Sequence, residues 1–144
     1  MFKKKLMKKI VPSALIFGVV VTGAATNANA NANIMKYKEY YTFSKVGYTA
    51  TDVKRKTGSN AVCNNESISN ATYHSAVLVN GEYKIRSSEE RVNKGKRVEL
   101  DTSKKYGSDK IQAQEGKRYQ QKHTTPKLGV VASGTFSVDN KYDF

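Results

Sequence analysis

The chain has 144 residues, 25 Lys and Arg against 12 Asp and Glu, and a formal net charge of +13 at pH 7. Its single cysteine excludes an internal disulfide framework, so the fold has to rest on an apolar core. Neither a Gly-x-Ser-x-Gly elbow nor an H-E-x-x-H pair occurs, which sets aside the hydrolase and zinc-protease classes that depend on them.

Lys3, Lys4, Lys5, Lys8 and Lys9 precede an apolar run that begins at Ile10, and Ala28-Asn29-Ala30 follows it. A positive segment, an apolar segment and small residues at a cleavage point are the three parts of a secretory signal peptide. The apolar run is about 16 residues, short of the roughly 20 that cross a bilayer as a helix. We therefore expect residues 1–30 to be removed, with Ala32 as the second choice of cleavage point. That leaves 114 of the 144 residues and, without the five leader lysines, +8 of the +13 charges. A chain of this size suits one domain. Residues 31–36, which continue the Asn-Ala alternation, are expected to form a flexible N-terminus, and 37–144 a single domain. Cys63 lies far downstream of the position a lipoprotein cysteine occupies, and no hydrophobic tail closes the chain. The expected product is secreted, free or loosely held at the cell wall by charge, with no transmembrane segment after cleavage, and monomeric.

From Tyr37 the chain alternates strand-forming Tyr, Val, Thr and Ile with Gly, Asn, Ser and Asp. Strands are predicted over 37–44 and 47–54. Two β-rich runs, 71–79 and 82–87, flank Asn80-Gly81, which predicts a two-residue type I′ hairpin. Its register would oppose Val79 to Glu82, Leu78 to Tyr83, Ala76 to Ile85 and His74 to Ser87, putting Ala76, Leu78, Tyr83 and Ile85 on the core face. Ser87 with Glu90 reads as a capping box, but Val92 alone is apolar behind it, so a single turn or a loop is expected there. Further strands are predicted over 97–101, 110–114, 128–132 and 135–139, while the polar segment 115–122 is expected to be a surface loop. Regularly spaced short strands without a helical stripe predict an all-β, antiparallel β-sandwich, with a partly open barrel as the alternative.

Chemistry-bearing residues are few. Cys63 is expected to be a small buried side chain, and His74 an edge or boundary residue of the hairpin. Glu99, Arg97, Arg118 and His123 supply the residue types of a small ribonuclease, an acid, a base and phosphate-binding cations, though no spacing ties them together. Asp139-Asn140-Lys141-Tyr142-Asp143 resembles half of an oxygen-rich cation loop but lacks the Gly and terminal Glu of a calcium site. No catalytic residue, metal ligand or cofactor is predicted on these grounds.

Cations beside tyrosines recur at Lys36-Tyr37-Lys38, Lys104-Lys105-Tyr106 and Lys117-Arg118-Tyr119. Such pairs can meet a polyanion or a lipid surface. Lys104, Lys105, Lys117 and Arg118, in segments that read as turns, are the predicted envelope-binding residues. The lysine-rich leader and Trp-free β-domain resemble the small secreted proteins of Gram-positive bacteria. His74-Ser75-Ala76-Val77 resembles a strand of the lactococcin-type bacteriocins, although those are rich in Trp and this chain has none. That resemblance implies a β-sandwich and interference with cell-wall synthesis. The sequence-based expectation is a non-enzymatic cationic module binding an anionic envelope polymer or lipid, with a bacteriocin-like toxin and then a secreted ribonuclease as alternatives.

Overall fold

The computed structural model describes residues 32–144 and, as backbone, the short strand β1 (Val19–Val20). The remainder of the expected leader lies outside the described residues. The other strands are β2 (Met35–Tyr41), β3 (Val46–Tyr48), β4 (Asp52–Val53), β5 (Ala61–Ser69), β6 (Tyr73–Asn80), β7 (Glu90–Asn93), β8 (Lys96–Leu100), β9 (Arg118–Thr124) and β10 (Val130–Ser137). They form two antiparallel sheets, β1-β2-β10-β5-β8 and β3-β9-β6-β7, with β4 also paired to β9. The sheets do not close into a barrel, so the all-β sandwich is the architecture. A 3-10 turn over Lys141–Asp143 follows the last strand, and no helix among the described residues is long and apolar enough to cross a membrane.

Alternation fixes which side chains enter the space between the sheets. β2 turns Tyr37, Glu39 and Tyr41 inward, β5 turns Ala61, Cys63 and Asn65 inward, and β9 turns Tyr119, Gln121 and His123 inward; all nine are buried. Leu78, Val92, Leu100, Val130, Ala132, Phe136 and Val138 complete the apolar core around them. Four of the nine inward residues are therefore polar or ionisable without counting tyrosine hydroxyls or the thiol, namely Glu39, Asn65, Gln121 and His123, and His74 of β6 joins them.

Several sequence-based expectations change here. The hairpin after Asn80 has a three-residue loop, with Tyr83 left-handed at φ 61° and Tyr83 N–H donating to the Asn80 carbonyl at 2.9 Å. The Asn80 side chain accepts from the N–H groups of Glu82 and Lys84, so it organises the loop as an acceptor rather than occupying the turn's centre. Val79 consequently faces Ile85, Ala76 faces Glu90 and His74 faces Val92. Tyr83 and Ile85 leave the core, at 61% and 38% exposure, whereas Val77 and Val79 are buried beside Ala76 and Leu78. Glu90–Asn93 is a strand rather than a turn, 110–114 is irregular, and the two runs expected after Leu128 are one strand. β5 had no counterpart among the predicted strands, and β9 falls largely on the segment expected to be a surface loop.

β10 crosses β5 with a register shift between Ser133 and Gly134. A Cβ at Gly134 would stand 1.8 Å from the Asn64 carbonyl oxygen and 3.0 Å from the Tyr37 hydroxyl, so the backbone approach requires glycine there. Gly134→Ala is expected to destabilise the protein by about 3 kcal/mol, the upper part of the range for overpacking, because the nearest atom is backbone and cannot rotate away. Urea unfolding of the variant beside the parent checks this; a loss under about 1 kcal/mol, the low end of that range, would contradict the close approach.

Candidate functional site

The strand pattern of β5, Ala-Val-Cys-Asn-Asn, places Cys63 between Ala61 and Asn65 on the inward face, opposite Phe136 of β10 and Val98 of β8. β9 brings His123 inward opposite Ala76 and Gly47, two small neighbours that leave room for the ring. β6 brings in His74, and β2 supplies Tyr37 and Glu39 from the facing sheet. Cys63, His74 and His123 are each 0% exposed, and one ligand-capable atom from each lies within 4.8 Å of the others. His123 Nε2 is 3.6 Å from Cys63 Sγ, and the two imidazole centroids are 4.6 Å apart.

The outer nitrogens of both rings are held. His123 Nδ1 donates to Glu39 Oε2 at 2.8 Å, and Tyr41 Oη donates to the same oxygen. His74 Nδ1 lies 3.2 Å from the Ser75 carbonyl, an acceptor only, which assigns Nδ1 as the protonated nitrogen and leaves Nε2 as a lone pair facing the cluster. Tyr37 Oη is 2.9 Å from that Nε2, 3.2 Å from the Asn64 carbonyl and 4.0 Å from Cys63 Sγ. The Gln121 amide donates through Nε2 to the Val62 and Ser137 carbonyls at 2.8 and 3.2 Å, so its Oε1 is aimed at His123 Nε2, 3.1 Å away. Among the described residues Glu39 Oε1 is buried without a hydrogen-bond partner.

Two histidines in contact titrate in opposite directions. Burial, and then the charge on His123, push His74 down to about 3, against the weaker pull of the Ser75 carbonyl. Burial pulls His123 down too, but the Glu39 carboxylate and Cys63 outweigh it and hold the ring up at about 10. Burial also raises the Tyr37 and Tyr41 phenols far above their ordinary range, with Cys63 and Glu39 adding to the effect on Tyr37 and Glu39 on Tyr41. The cluster thus pairs one imidazolium with one carboxylate and keeps the second imidazole neutral.

The predicted surface cations lie elsewhere. Lys104 and Lys105 stand exposed in the turns that follow β8, and Ser108 N–H fastens that loop to the Ile85 carbonyl at 3.1 Å. Lys117 and Arg118 are exposed at the start of β9 and line a groove of about 390 Å³ with Glu82, Arg86, Ile111 and Tyr119. Lys104 and Lys105 are not among the residues lining that groove. Among the described residues none of the four takes part in an ion pair, whereas Arg86 is paired with Asp109 at 2.8 Å.

The ribonuclease grouping is not assembled. Arg97 and Glu99 sit exposed on β8, bonded to each other at 3.1 Å, and Arg118 is exposed, while His123 is enclosed in the core. His74 is a core residue rather than an edge residue, and Cys63 is buried as expected, with Tyr37 and His123 as polar neighbours beside Phe136 and Val98. Asp139 is fully buried on Lys54, at 3.1 Å, and is not half of a cation loop. Cys63, His74 and His123 were beyond reach of motif reading because they come from three separate strands; the usable signal was the shared parity of Tyr119, Gln121 and His123. No family model, curated protein or solved structure matches the chain.

Below pH 6.5 the unfolded chain takes up a proton at His74 that the folded state refuses until about pH 3, so stability falls as pH falls. Above 6.5 the folded state keeps a proton on His123 that the unfolded chain has released, so stability falls again as pH rises toward 10. Thermal unfolding in chelator is therefore expected to peak near pH 6.5, with each histidine contributing a limb of about 1.4 kcal/mol per pH unit. His74→Gln should flatten the acid limb between about pH 6.5 and 4.5 and leave the alkaline one; an unchanged acid limb would show that His74 is not its source.

Proposed function

We propose that this protein is a secreted, non-enzymatic cationic β-sandwich module that works at the cell envelope by binding an anionic wall polymer or lipid surface. The observation that carries the reading is the placement of Lys104, Lys105, Lys117 and Arg118, all exposed and none in an ion pair among the described residues. A cation already paired to a neighbouring carboxylate has little attraction left for a partner, whereas an unpaired exposed one keeps its full field. Tyr106, 37% exposed, carries Lys105 over its ring at 5.1 Å, an amphipathic ring beside a charge as found at lipid and polymer surfaces. The imidazoles and the thiol are enclosed in the core, where no polymer can reach them, which supports a binding rather than a hydrolytic role.

Replacing Lys104, Lys105, Lys117 and Arg118 together by Gln tests the reading in a sedimentation assay on purified walls and on vesicles containing anionic lipid. A cation near an anionic membrane contributes about 1 kcal/mol, so the fourfold variant should bind up to about a thousandfold more weakly at low salt. The parent's binding should fall steeply as salt rises to about 0.15 M. A control variant carrying Gln at Lys36, Lys45, Lys94 and Lys127 changes net charge equally and should lose far less. Equal losses would mean that charge acts diffusely and the four residues are not a site; salt-insensitive or absent binding of the parent would remove the proposal.

A further inference from the structure

We propose that Cys63, His74 and His123 together bind one thiophilic transition-metal ion, zinc or copper, in the core between the two sheets. A thiolate and two imidazoles are the donor set that such ions favour over magnesium or calcium, which take oxygen. Around a tetrahedral ion with a metal–sulfur bond of about 2.3 Å and a metal–nitrogen bond of about 2.05 Å, sulfur and nitrogen stand about 3.6 Å apart. Cys63 Sγ and His123 Nε2 are 3.6 Å apart. All three ligand atoms lie within 4.8 Å of one another, at most about 1.2 Å beyond the tetrahedral sulfur–nitrogen spacing, so binding would draw the side chains together by up to that amount.

The shell behind the ligands is the second and independent observation. Metal-binding histidines present one ring nitrogen to the ion and give the other to a carboxylate or a backbone carbonyl, which fixes ring orientation. His123 gives Nδ1 to Glu39, His74 gives Nδ1 to the Ser75 carbonyl, and both Nε2 atoms face the space that Cys63 Sγ also faces. Tyr37 Oη and Gln121 Oε1 stand beside those nitrogens at 2.9 and 3.1 Å, and either can complete the coordination as a weak oxygen donor. A divalent ion, the Cys63 thiolate and the Glu39 carboxylate sum to zero charge, which suits an interior where a net charge is costly. A histidine pair kept only for packing would also bond its outer N–H groups, but has no need of a thiol at ligand spacing beside both Nε2 atoms.

The test uses purified protein, unfolded with reductant under anaerobic conditions and refolded with one equivalent of zinc, of cobalt as the spectroscopic stand-in for zinc, or of copper(I), then desalted. One ion per chain should remain by elemental analysis, and the cobalt form should show a thiolate-to-cobalt charge-transfer band. Cys63→Ser, a nearly isosteric exchange that keeps the core filled, should abolish that band and weaken retention at least a hundredfold. Glu39→Gln, which does not touch the ion, should weaken it about ten- to a hundredfold, as loss of such a partner does in other metal sites. A zinc-against-copper competition then shows which of the two ions the site prefers, and either result supports the site. Failure to retain any of the three ions, or retention that Cys63→Ser leaves unchanged, would overturn the proposal.

Discussion

The bond between His123 on one sheet and Glu39 on the other is the constraint around which the interior is organised. Both side chains are fully buried, and neither could sit where it does without the other, since a lone charge in a protein core costs several kcal/mol. Once Glu39 is fixed, Tyr41 and Tyr37 follow on the same face of β2, and Tyr41 donates its hydroxyl to the carboxylate. Once His123 is fixed, Gln121 follows on β9 and secures itself to the opposite sheet through the Val62 and Ser137 carbonyls. The Tyr37–His74 contact adds a further tie across the gap. These ties set the relative register of two sheets that hydrophobic contact alone would let slide, because apolar packing has no direction while a hydrogen bond does.

A second polar tie works at the far end of the same strands. Lys54, just past β4, donates to the Ser59 carbonyl at 2.6 Å, the Val138 carbonyl at 2.7 Å and Asp139 at 3.1 Å. Asp139 in turn accepts from the Arg55 N–H at 2.8 Å. All three donors of the ammonium are used, which is the condition under which a buried lysine remains tolerable, although desolvation still pulls its pKa down. Asp143 then takes the Ser59 hydroxyl and the Asn60 N–H, so the C-terminal turn is fastened to the loop before β5. The strand that carries Cys63 is thereby held at its start as well as along its length.

What could be read from the sequence tracks how apolar each inward face is. β2, β6, β8 and β10 show alternation through Tyr, Val, Leu, Ala and Phe, and strands are expected from the sequence at or near all of them. β5 and β9 turn Cys63, Asn65, Gln121 and His123 inward, so a search for apolar alternation finds nothing to count. Two of the strands absent from the sequence-based expectation, β5 and β9, are thus the ones that carry Cys63 and His123. The error at Asn80-Gly81 has a different cause. Asn80 satisfies three backbone groups of a longer loop, through its own carbonyl and its side chain, and the resulting slip takes Tyr83 and Ile85 off the expected core face. A polar period-two pattern is ambiguous in one strand, and becomes readable only when several such strands face one another.

Interior and surface are linked through charge. Residues 31–144 carry a formal +8, and the interior withdraws two cations, Lys54 and Arg86, together with two carboxylates, Glu39 and Asp139. The withdrawn charges cancel, so the formal +8 remains facing solvent. The surface field and the buried cluster thus arise from the same placement of acids: carboxylates spent inside on His123 and Lys54 are unavailable to neutralise Lys104, Lys105, Lys117 and Arg118 outside. Exposed cations without acidic neighbours act at a distance of about a Debye length, whereas the enclosed donors act only on something small enough to enter during folding or opening. The two candidate activities therefore differ in range and in partner size, and can change independently through substitutions in the exposed turns and at the start of β9 on the one hand and on inward strand faces on the other.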